Sequence, residues 1–162
     1  GDDGKISNVD LKTNPVDIRA AAKNWPPEKQ ARFNTADEFY KSSGYKDYDS
    51  HLRGIDFDSD VEVVTLEKGD KLYQYSYIDD DTGLPKTGSY FYNDANVDPS
   101  KLGFDINERK MYESSLENSG ELLKSKAANI EDWEPGSSKI FSGGESQLFS
   151  PKLKLSDPKL VK

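Results

Sequence analysis

The sequence predicts an α+β domain, with helices near the N-terminus followed by a compact mixed or antiparallel sheet. Apolar residues recur at a loose helical spacing before residue 41, whereas short segments rich in branched and aromatic residues follow Gly54, separated by Gly, Pro and Asp turns. The length of 162 residues, 33% of them hydrophobic, suits one compact domain with a modest core.

Two helices are predicted before the sheet. Residues 15–22 indicate a short helix that ends at the Pro26-Pro27 pair, and residues 27–40 indicate a second, because proline suits a first turn and apolar residues follow at helical spacing. Residues 1–14 are polar and are typical of a linker. We therefore expect residues 1–45 to be a linker or N-terminal helical extension and residues 46–162 to be the functional domain.

The strands are predicted from alternation and turn residues. Residues 61–66 and 71–77 flank a Lys-Gly-Asp turn and predict a hairpin. Residues 88–92 predict another short strand, and Asp98-Pro99-Ser100 predicts a turn or one-turn helix. Residues 108–118 fit a strand or a helix equally. Residues 120–130 predict a strand and a bend, and Leu148, Leu153 and Leu155 indicate short closing strands.

Composition excludes several kinds of site. Acidic residues outnumber basic ones by 30 to 22, which disfavours nucleic acid as a partner, although a local basic groove would override the overall charge. The absence of cysteine excludes thiolate metal sites and cysteine nucleophiles, and the single histidine, His51, excludes a multi-histidine metal site. The sequence contains neither an apolar run of membrane-spanning length nor a signal peptide pattern, so no stable membrane association is expected.

The most distinctive motif is the segment 142–149, Ser-Gly-Gly-Glu-Ser-Gln-Leu-Phe. Gly143 and Gly144 permit close backbone approach or positive φ, and Glu145 and Gln147 lie two apart, so they would share one face of an emerging strand. The plainer interpretation is a glycine hairpin that carries two solvated polar residues.

Other candidate residues have equally ordinary alternatives. Arg109, one of four arginines, has the planar fork that grips a pyrophosphate, and Lys124 beside Ser125 offers another anion contact, but solvated positions are common for both residue types. Tyr75 belongs to a run of alternating tyrosines that suits a half-buried strand face or a stacking surface. His51 fits a general base, a substrate contact or a structural residue.

Taken in order, seven segments of the chain resemble the bacterial polymorphic toxin type 46 family, which comprises C-terminal domains of contact-dependent inhibition or Rhs-type toxins. They are similar, more distantly, to the tuberculosis necrotizing toxin family of NAD glycohydrolases. The resemblance covers about residues 50–151 and rests on the order of the segments 54–57, 61–66, 72–75, 88–91, 102–103, 123–130 and 143–149.

The resemblance implies a sheet-based fold of the ADP-ribosyltransferase-like or NAD glycohydrolase type, with NAD in a cleft between strands. Residues 46–162 would then be an antibacterial toxin domain that cleaves the nicotinamide–ribose bond of NAD(P), as a glycohydrolase or ADP-ribosyl cyclase. NAD or NADP would be the substrate, and no cofactor is expected. An ADP-ribosyltransferase acting on protein or RNA, a toxin ribonuclease and a non-enzymatic binding module remain alternatives.

The same resemblance implies a setting for the domain. It would be secreted or displayed at the cell surface as part of a larger effector and would act in the cytoplasm of the target cell. The start at Gly1, without a methionine, agrees with a fragment of a longer protein. A cognate immunity protein would protect the producing cell, and the acidic surface would favour basic residues on that partner.

The resemblance also assigns roles to residues. Gln147, which follows the paired glycines, would bond a ribose hydroxyl, and Glu145 would stabilise the positive charge that develops on the ribose. Arg109 would hold the pyrophosphate, with Lys124 as the second choice. The remaining expected NAD contacts are Gln74, Tyr75, Tyr90, Phe91, Ser125, Gly143 and Gly144.

The necrotizing toxins usually carry an arginine after the Lys-Gly turn, where Gln74 stands in this sequence, so the first anchoring contact departs from their pattern. An aromatic residue near Gly88 would stack on the nicotinamide, which makes Tyr90 the first choice and Phe91 the second.

Overall fold

The computed structural model describes residues 17–131 and 140–162. These residues form three helices and nine strands, and every strand pair among them is antiparallel. The predicted α+β class is thus confirmed. The predicted linker 1–14 lies outside the described residues. Within the described ranges, no helix combines the length and the apolar character needed to cross a membrane.

The helices are α1 (Ile18–Ala22), α2 (Pro27–Ser42) and α3 (Asp49–Arg53). Helix α1 begins where the Asp17 carboxylate accepts a hydrogen bond from the amide of Ala20 at 3.1 Å, so it starts later than the predicted residue 15. Helix α2 begins at Pro27 as predicted and continues to Ser42, one half-turn beyond the predicted end. Helix α3 was not predicted, because five residues are too few to display a helical period.

The three helices share one apolar core with the sheet. Helix α2 buries Tyr40 completely, and its ring centroid lies 4.2 Å from that of Phe149 in a late strand. Leu123 of another late strand belongs to the same cluster. The described part of the predicted extension therefore packs against the predicted domain, and the boundary after residue 45 stays a prediction.

The strands form two main sheets and one separate pair. One sheet has the order β1-β5-β8-β3, the other has the order β2-β4-β9, and β6 pairs with β7. The bounds are β1 (Glu62–Leu66), β2 (Lys71–Ser76), β3 (Tyr90–Phe91), β4 (Lys110–Ser115), β5 (Gly120–Lys126), β6 (Ile130–Glu131), β7 (Ile140–Phe141), β8 (Ser146–Phe149) and β9 (Lys159–Leu160).

The predicted hairpin of residues 61–66 and 71–77 is wrong. Strand β1 pairs with β5, whereas β2 pairs with β4 in the other sheet. The connecting turn bonds to a third segment instead of closing a hairpin, since the amide of Gly69 donates to the carbonyl of Leu116 at 2.8 Å and the amide of Leu116 donates to that of Asp70. Pairing with β5 also sets β1 beside Leu122, which is fully buried between the sheets.

The remaining segments follow the predictions in part. Residues 110–115 form a strand, which decides between the two alternatives for 108–118, and residues 99–101 form the predicted single turn of helix. Leu148 lies in β8 as expected. Leu153, however, lies in a loop, and Leu155 forms only an isolated β-bridge with Leu116; both pack against the inter-sheet core, and the last strand is β9.

The two sheets are joined beside β3. Tyr73 of β2 and Tyr92 exchange two backbone hydrogen bonds, of 2.7 and 2.8 Å, directly after β3. Helix α3 approaches the same place, because Nδ1 of His51 lies 2.7 Å from the hydroxyl of Tyr90 in β3. A cavity opens where the helix and the two sheets meet.

Candidate active site

The cavity has a volume of about 470 Å³. Its wall comes from the end of α3, from β2, from the segments 86–90 and 102–104, and from Arg109 and Gln147. The wall contains amide, hydroxyl, aromatic and cationic side chains but no carboxylate within the described residues. Such a lining suits a ligand that combines negative charge with aromatic rings and hydroxyl groups.

Gln147 enters this cavity from β8 with its orientation fixed. Its side-chain nitrogen donates to the hydroxyl oxygen of Ser125 at 3.2 Å and to the backbone carbonyl of Gly54 at 3.4 Å. A carbonyl can only accept, so this bond requires that the amide nitrogen face Gly54. Gln147 is 9% exposed, and its amide oxygen accepts no bond from the described residues. That oxygen is available to accept a hydrogen bond from a ligand hydroxyl.

Glu145 and the two glycines lie elsewhere, although the sequence predicted that Glu145 and Gln147 would share a face. The Glu145 carboxylate accepts the amide of Asp98 at 2.9 Å and does not line the cavity, because Glu145 precedes the first residue of β8. Gly143 and Gly144 lie against the backbone of residues 127–129, also outside the cavity wall. The glycines position the segment that leads into β8 and do not line the cavity.

Tyr90 and Phe91 occupy opposite faces of β3, as adjacent strand residues must. Tyr90 lines the cavity, and its backbone carbonyl accepts a 2.8 Å bond from the side chain of Gln74, which lines the cavity too. Phe91 is 2% exposed and packs in the core between the sheets. Of the two aromatic residues that the resemblance suggested, only Tyr90 faces the cavity. Tyr75 also lies in the wall.

Arg109 is one of two cationic residues in the cavity wall. Its guanidinium lies over the rings of Tyr77 and Phe104, at 4.9 and 5.0 Å from their centroids. The Nε atom is buried and has no hydrogen-bond partner in the described part of the chain. Lys86 also lines the cavity and was not singled out from the sequence, where nothing distinguishes it from other loop lysines. The two cations form an anion-binding part of the wall.

Lys124 and Ser125 are neighbours with different surroundings. Ser125 is 4% exposed and supports Gln147 from the adjacent strand. Lys124 lies in a separate surface depression with Asp58, Asp60 and other polar residues, away from the cavity. The structure therefore brings Gln74, Tyr75, Tyr90, Arg109 and Gln147 together, with Ser125 behind them, and leaves out Lys124, Glu145, Phe91 and the two glycines.

A chain of hydrogen bonds runs from the wall into the core and was missed from the sequence. The Nδ1 atom of His51 lies 2.7 Å from the hydroxyl of Tyr90, which lies 2.5 Å from the hydroxyl of Tyr40. Burial lowers the pKa of His51 and raises the pKa of both tyrosines, so all three groups are uncharged near neutral pH. The members lie on α2, α3 and β3, which no local sequence pattern connects.

Comparisons with known proteins agree with this fold. The model of the bacterial toxin 46 family matches residues 28–155, so the match begins in α2 and not near residue 50. The NAD(P)(+) glycohydrolase toxin Tse6 of Pseudomonas aeruginosa is 32% identical over 130 residues, which are 72% of this chain and 29% of that protein. The chain thus spans less than a third of the length of this curated relative.

Solved structures give the same picture. The structure of Tse6 in complex with Tsi6 is 27% identical and has a TM-score of 0.64, covering 82% of this chain and 98% of that chain. Rhs1-CT in complex with its cognate immunity protein RhsI1 is 17% identical and has a TM-score of 0.42, covering 78% and 96%. The second likeness is loose, whereas the first confirms the predicted fold type. Because the family model matches most of the sequence, this chain belongs to the bacterial toxin 46 family.

Proposed function

We propose that this domain is an antibacterial toxin that hydrolyses the nicotinamide–ribose bond of NAD or NADP. The fixed amide of Gln147 in a cavity that also holds Tyr90 and Arg109 is the observation that carries the proposal. The name of the relative Tse6, an NAD(P)(+) glycohydrolase toxin, supports it. Within this family, hydrolysis is therefore the first reaction to test.

The chemistry matches the groups in the wall. The bond between ribose C1′ and the pyridinium nitrogen breaks with its electron pair passing to nitrogen, so nicotinamide leaves as a neutral molecule and needs no proton. Water attacks C1′, loses a proton to solvent, and yields ADP-ribose. The enzyme must orient the ribose and stabilise an oxocarbenium-like state. Neither task requires a metal or a general acid.

Each lining residue has a proposed task. The free amide oxygen of Gln147 accepts a ribose hydroxyl and turns the negative end of its dipole toward the positive charge that develops at C1′. Tyr90 stacks on the nicotinamide ring. Gln74 donates to the backbone carbonyl of Tyr90 and so helps to position the Tyr90 ring. Glu145 is engaged with Asp98, so we assign it to positioning the entry of β8 and not to the reacting atoms.

The phosphates belong with the cations. Arg109 presents a guanidinium flanked by Tyr77 and Phe104, and Lys86 adds a second positive charge. We propose that the pyrophosphate binds there, where the aromatic rings keep the guanidinium in place and a bidentate contact is available. Lys124 lies outside the cavity and has no part in this contact.

The biological setting follows from the proposed activity. A cell that makes an NAD-cleaving toxin must block it, so we propose a cognate immunity protein that covers the cavity. We also propose that a larger secreted or surface effector carries the domain, which then acts in the cytoplasm of the target cell. Tse6 has been solved in complex with Tsi6, which supports a partner of this kind. Failure of every neighbouring gene product to bind the domain would count against it.

The test is a direct product analysis. The purified domain is incubated with NAD and with NADP, and the products are separated by chromatography, together with Gln147→Ala and the matched control Gln30→Ala. Gln30 also donates its amide nitrogen to a backbone carbonyl, that of Ala22 at 2.8 Å, but lies on α2 outside the cavity. We expect nicotinamide and ADP-ribose, a loss of about a hundredfold or more in kcat for Gln147→Ala, and normal activity for Gln30→Ala.

Other outcomes have definite meanings. Cyclic ADP-ribose in place of ADP-ribose would identify a cyclase, and nicotinamide release only with bacterial lysate would identify a transferase. Intact NAD and NADP in every mixture would refute the proposal. Full activity of a folded Gln147→Ala protein would refute the role of Gln147.

A further inference from the structure

The only histidine of the chain, His51, stands in the cavity wall at the end of a three-member chain of hydrogen bonds. Tyr40 and Tyr90 are the other members, with oxygen–oxygen and oxygen–nitrogen distances of 2.5 and 2.7 Å. The proposed reaction requires none of these three hydroxyl or ring protons. The arrangement therefore needs an explanation of its own.

The burial of Tyr40 determines which group donates in each of these hydrogen bonds. Tyr40 is 0% exposed, and within the described residues its hydroxyl meets only the hydroxyl of Tyr90. If Tyr40 accepted from Tyr90, its own proton would be buried without an acceptor, which is costly. Tyr40 therefore donates to Tyr90, and Tyr90, with its one proton, donates to Nδ1 of His51.

This direction fixes the tautomer of His51. A neutral imidazole that accepts at Nδ1 carries its proton on Nε2. Around His51, the ring contacts are with Tyr40, Tyr45, Tyr90 and Phe149, and its one hydrogen bond within the described residues is to Tyr90. No charged group takes part in these contacts, and burial lowers the pKa of the ring, so the neutral form prevails near pH 7.

We infer that His51 is a further substrate-contacting residue, whose Nε2–H donates to the carboxamide oxygen of the nicotinamide group. Tyr40 is then a positioning residue that acts through Tyr90. The inference rests on the proposed function, in which Tyr90 stacks on the nicotinamide ring. Both rings line the cavity and lie at 14° to each other with their centroids 5.8 Å apart, so a ligand ring that stacks on Tyr90 would lie beside His51.

The carboxamide is the matching acceptor for two reasons. It is the only polar substituent on the nicotinamide ring, so it is the only group on that ring that can accept a hydrogen bond from a neutral donor beside it. The phosphates are placed instead beside Arg109, whose guanidinium packs on Tyr77 and Phe104. A neutral N–H donor also discriminates between oxygen and a weaker acceptor such as sulfur, which gives the contact a measurable specificity.

The tautomer can be measured without any activity assay. Because His51 is the only histidine, a ¹⁵N-histidine-labelled, untagged protein gives one pair of imidazole nitrogen signals. We expect the Nε2–H tautomer at neutral pH, a shift toward the mixed tautomers of free imidazole in Tyr90→Phe and Tyr40→Phe, and a change of the Nε2 signal when nicotinamide is added. A predominant Nδ1–H form, an unchanged balance in Tyr40→Phe, or no response to nicotinamide would overturn the inference.

Kinetics test the contact itself. His51→Leu removes the donor, whereas His51→Gln keeps an N–H near the Nε2 position. With NAD, we expect kcat/KM to fall about three- to tenfold in His51→Leu, the range of one neutral hydrogen bond, and to recover largely in His51→Gln. With the thionicotinamide analogue, whose carboxamide oxygen is replaced by sulfur, His51→Leu should differ little from the unchanged protein.

The two proposals fail in different ways. If the unchanged protein leaves NAD and NADP intact, the proposed function fails, and the nicotinamide titration alone decides whether His51 makes this contact. If the unchanged protein cleaves NAD but His51→Leu retains the full preference for oxygen over sulfur, the proposed function stands and the role of His51 is refuted.

Discussion

Replacement of Gly143 by alanine tests how closely β8 must approach the end of β5. A Cβ atom at Gly143 would lie 2.1 Å from the carbonyl oxygen of Ala127 and 2.5 Å from that of Ala128. Ordinary contact begins at 3.4 Å, so the two backbones would have to separate by about 1.3 Å. Both neighbours are backbone atoms, which cannot rotate aside as a side chain can.

The expected loss of stability follows from the bonds at this point. The separation would break the 2.8 Å bond from the amide of Gly144 to Ala127 and the 2.7 Å bond from the amide of Gly143 to the Asn129 side chain. With about 1 kcal/mol for each bond and up to about 3 kcal/mol for the overlap, Gly143→Ala should lower the free energy of unfolding by about 3–5 kcal/mol. For a domain of this size the Tm should fall by about 10 °C.

Urea denaturation followed by circular dichroism measures this difference, with Gly88→Ala as the control. A Cβ atom at Gly88 would meet its nearest neighbour, the Gln74 side-chain nitrogen, at an ordinary 3.5 Å. We expect the control to change the free energy of unfolding by less than about 1 kcal/mol. If Gly143→Ala is as stable as Gly88→Ala, the close approach does not constrain this turn, and the reasoning is refuted.

Three further predictions concern charge and pH. Arg109→Lys keeps the positive charge but loses the planar guanidinium, so we expect KM for NAD to rise about tenfold with kcat nearly unchanged. Steady-state kinetics measures both constants, and an unaltered KM would contradict the assignment of Arg109 to the phosphates. Burial raises the pKa of Tyr40, Tyr90 and Tyr92 in the folded state, so their contribution to stability is complete below about pH 10 and is lost progressively above it. Urea titrations should show a loss of about 4 kcal/mol between pH 9 and pH 11, and a flat profile would argue against their burial. For Asp37, burial is the largest single influence and raises the pKa, but the hydrogen bonds from Arg19 and Tyr48 and the nearby positive charge together outweigh it and hold the pKa below its usual range. The contribution of Asp37 to stability is therefore present above about pH 4 and is lost in acid. Asp37→Asn should lower the free energy of unfolding by about 1 kcal/mol at pH 7, a figure discounted because the Arg19–Asp37 pair is partly exposed. It should also reduce the loss of stability in acid that urea denaturation measures. An equal acid loss in the variant and the unchanged protein would exclude this pair as its source.

The sequence predicted the elements that local chemistry determines. Helix α2 was found because Pro27 favours a first turn and the apolar spacing follows it. Strands β1, β2 and β5 were found from alternation and branching. Their partners were not, because the Lys-Gly-Asp turn has the composition of a hairpin turn, and only the long-range bonds to Leu116 distinguish it from one.

For the candidate site, strand parity explains two of the five departures from expectation, those of Phe91 and Lys124. Residues 90 and 91 are adjacent on one strand, as are 124 and 125 on another, so the two side chains of each pair point to opposite faces. Tyr90 lines the cavity and Ser125 supports Gln147 from behind, whereas Phe91 and Lys124 point away. The sequence offered both members of each pair, and the register that chooses between them depends on strands far apart in the chain. The link from His51 to Tyr40 and Tyr90 is likewise tertiary, and no local pattern of residues indicates it.

The position of β8 in its sheet sets the order in which the cavity is completed during synthesis. This strand lies between β5 and β3, and it contributes both Gln147 and Phe149, on which Tyr40 packs. The ribosome therefore synthesises Tyr40, His51, Tyr90 and Arg109 before it synthesises β8. Until β8 inserts, the nascent chain carries most of the proposed binding groups but no assembled wall. The finished cavity therefore exists only after Phe149 has been translated, and a partner of the proposed kind would have no assembled cavity to cover before that point.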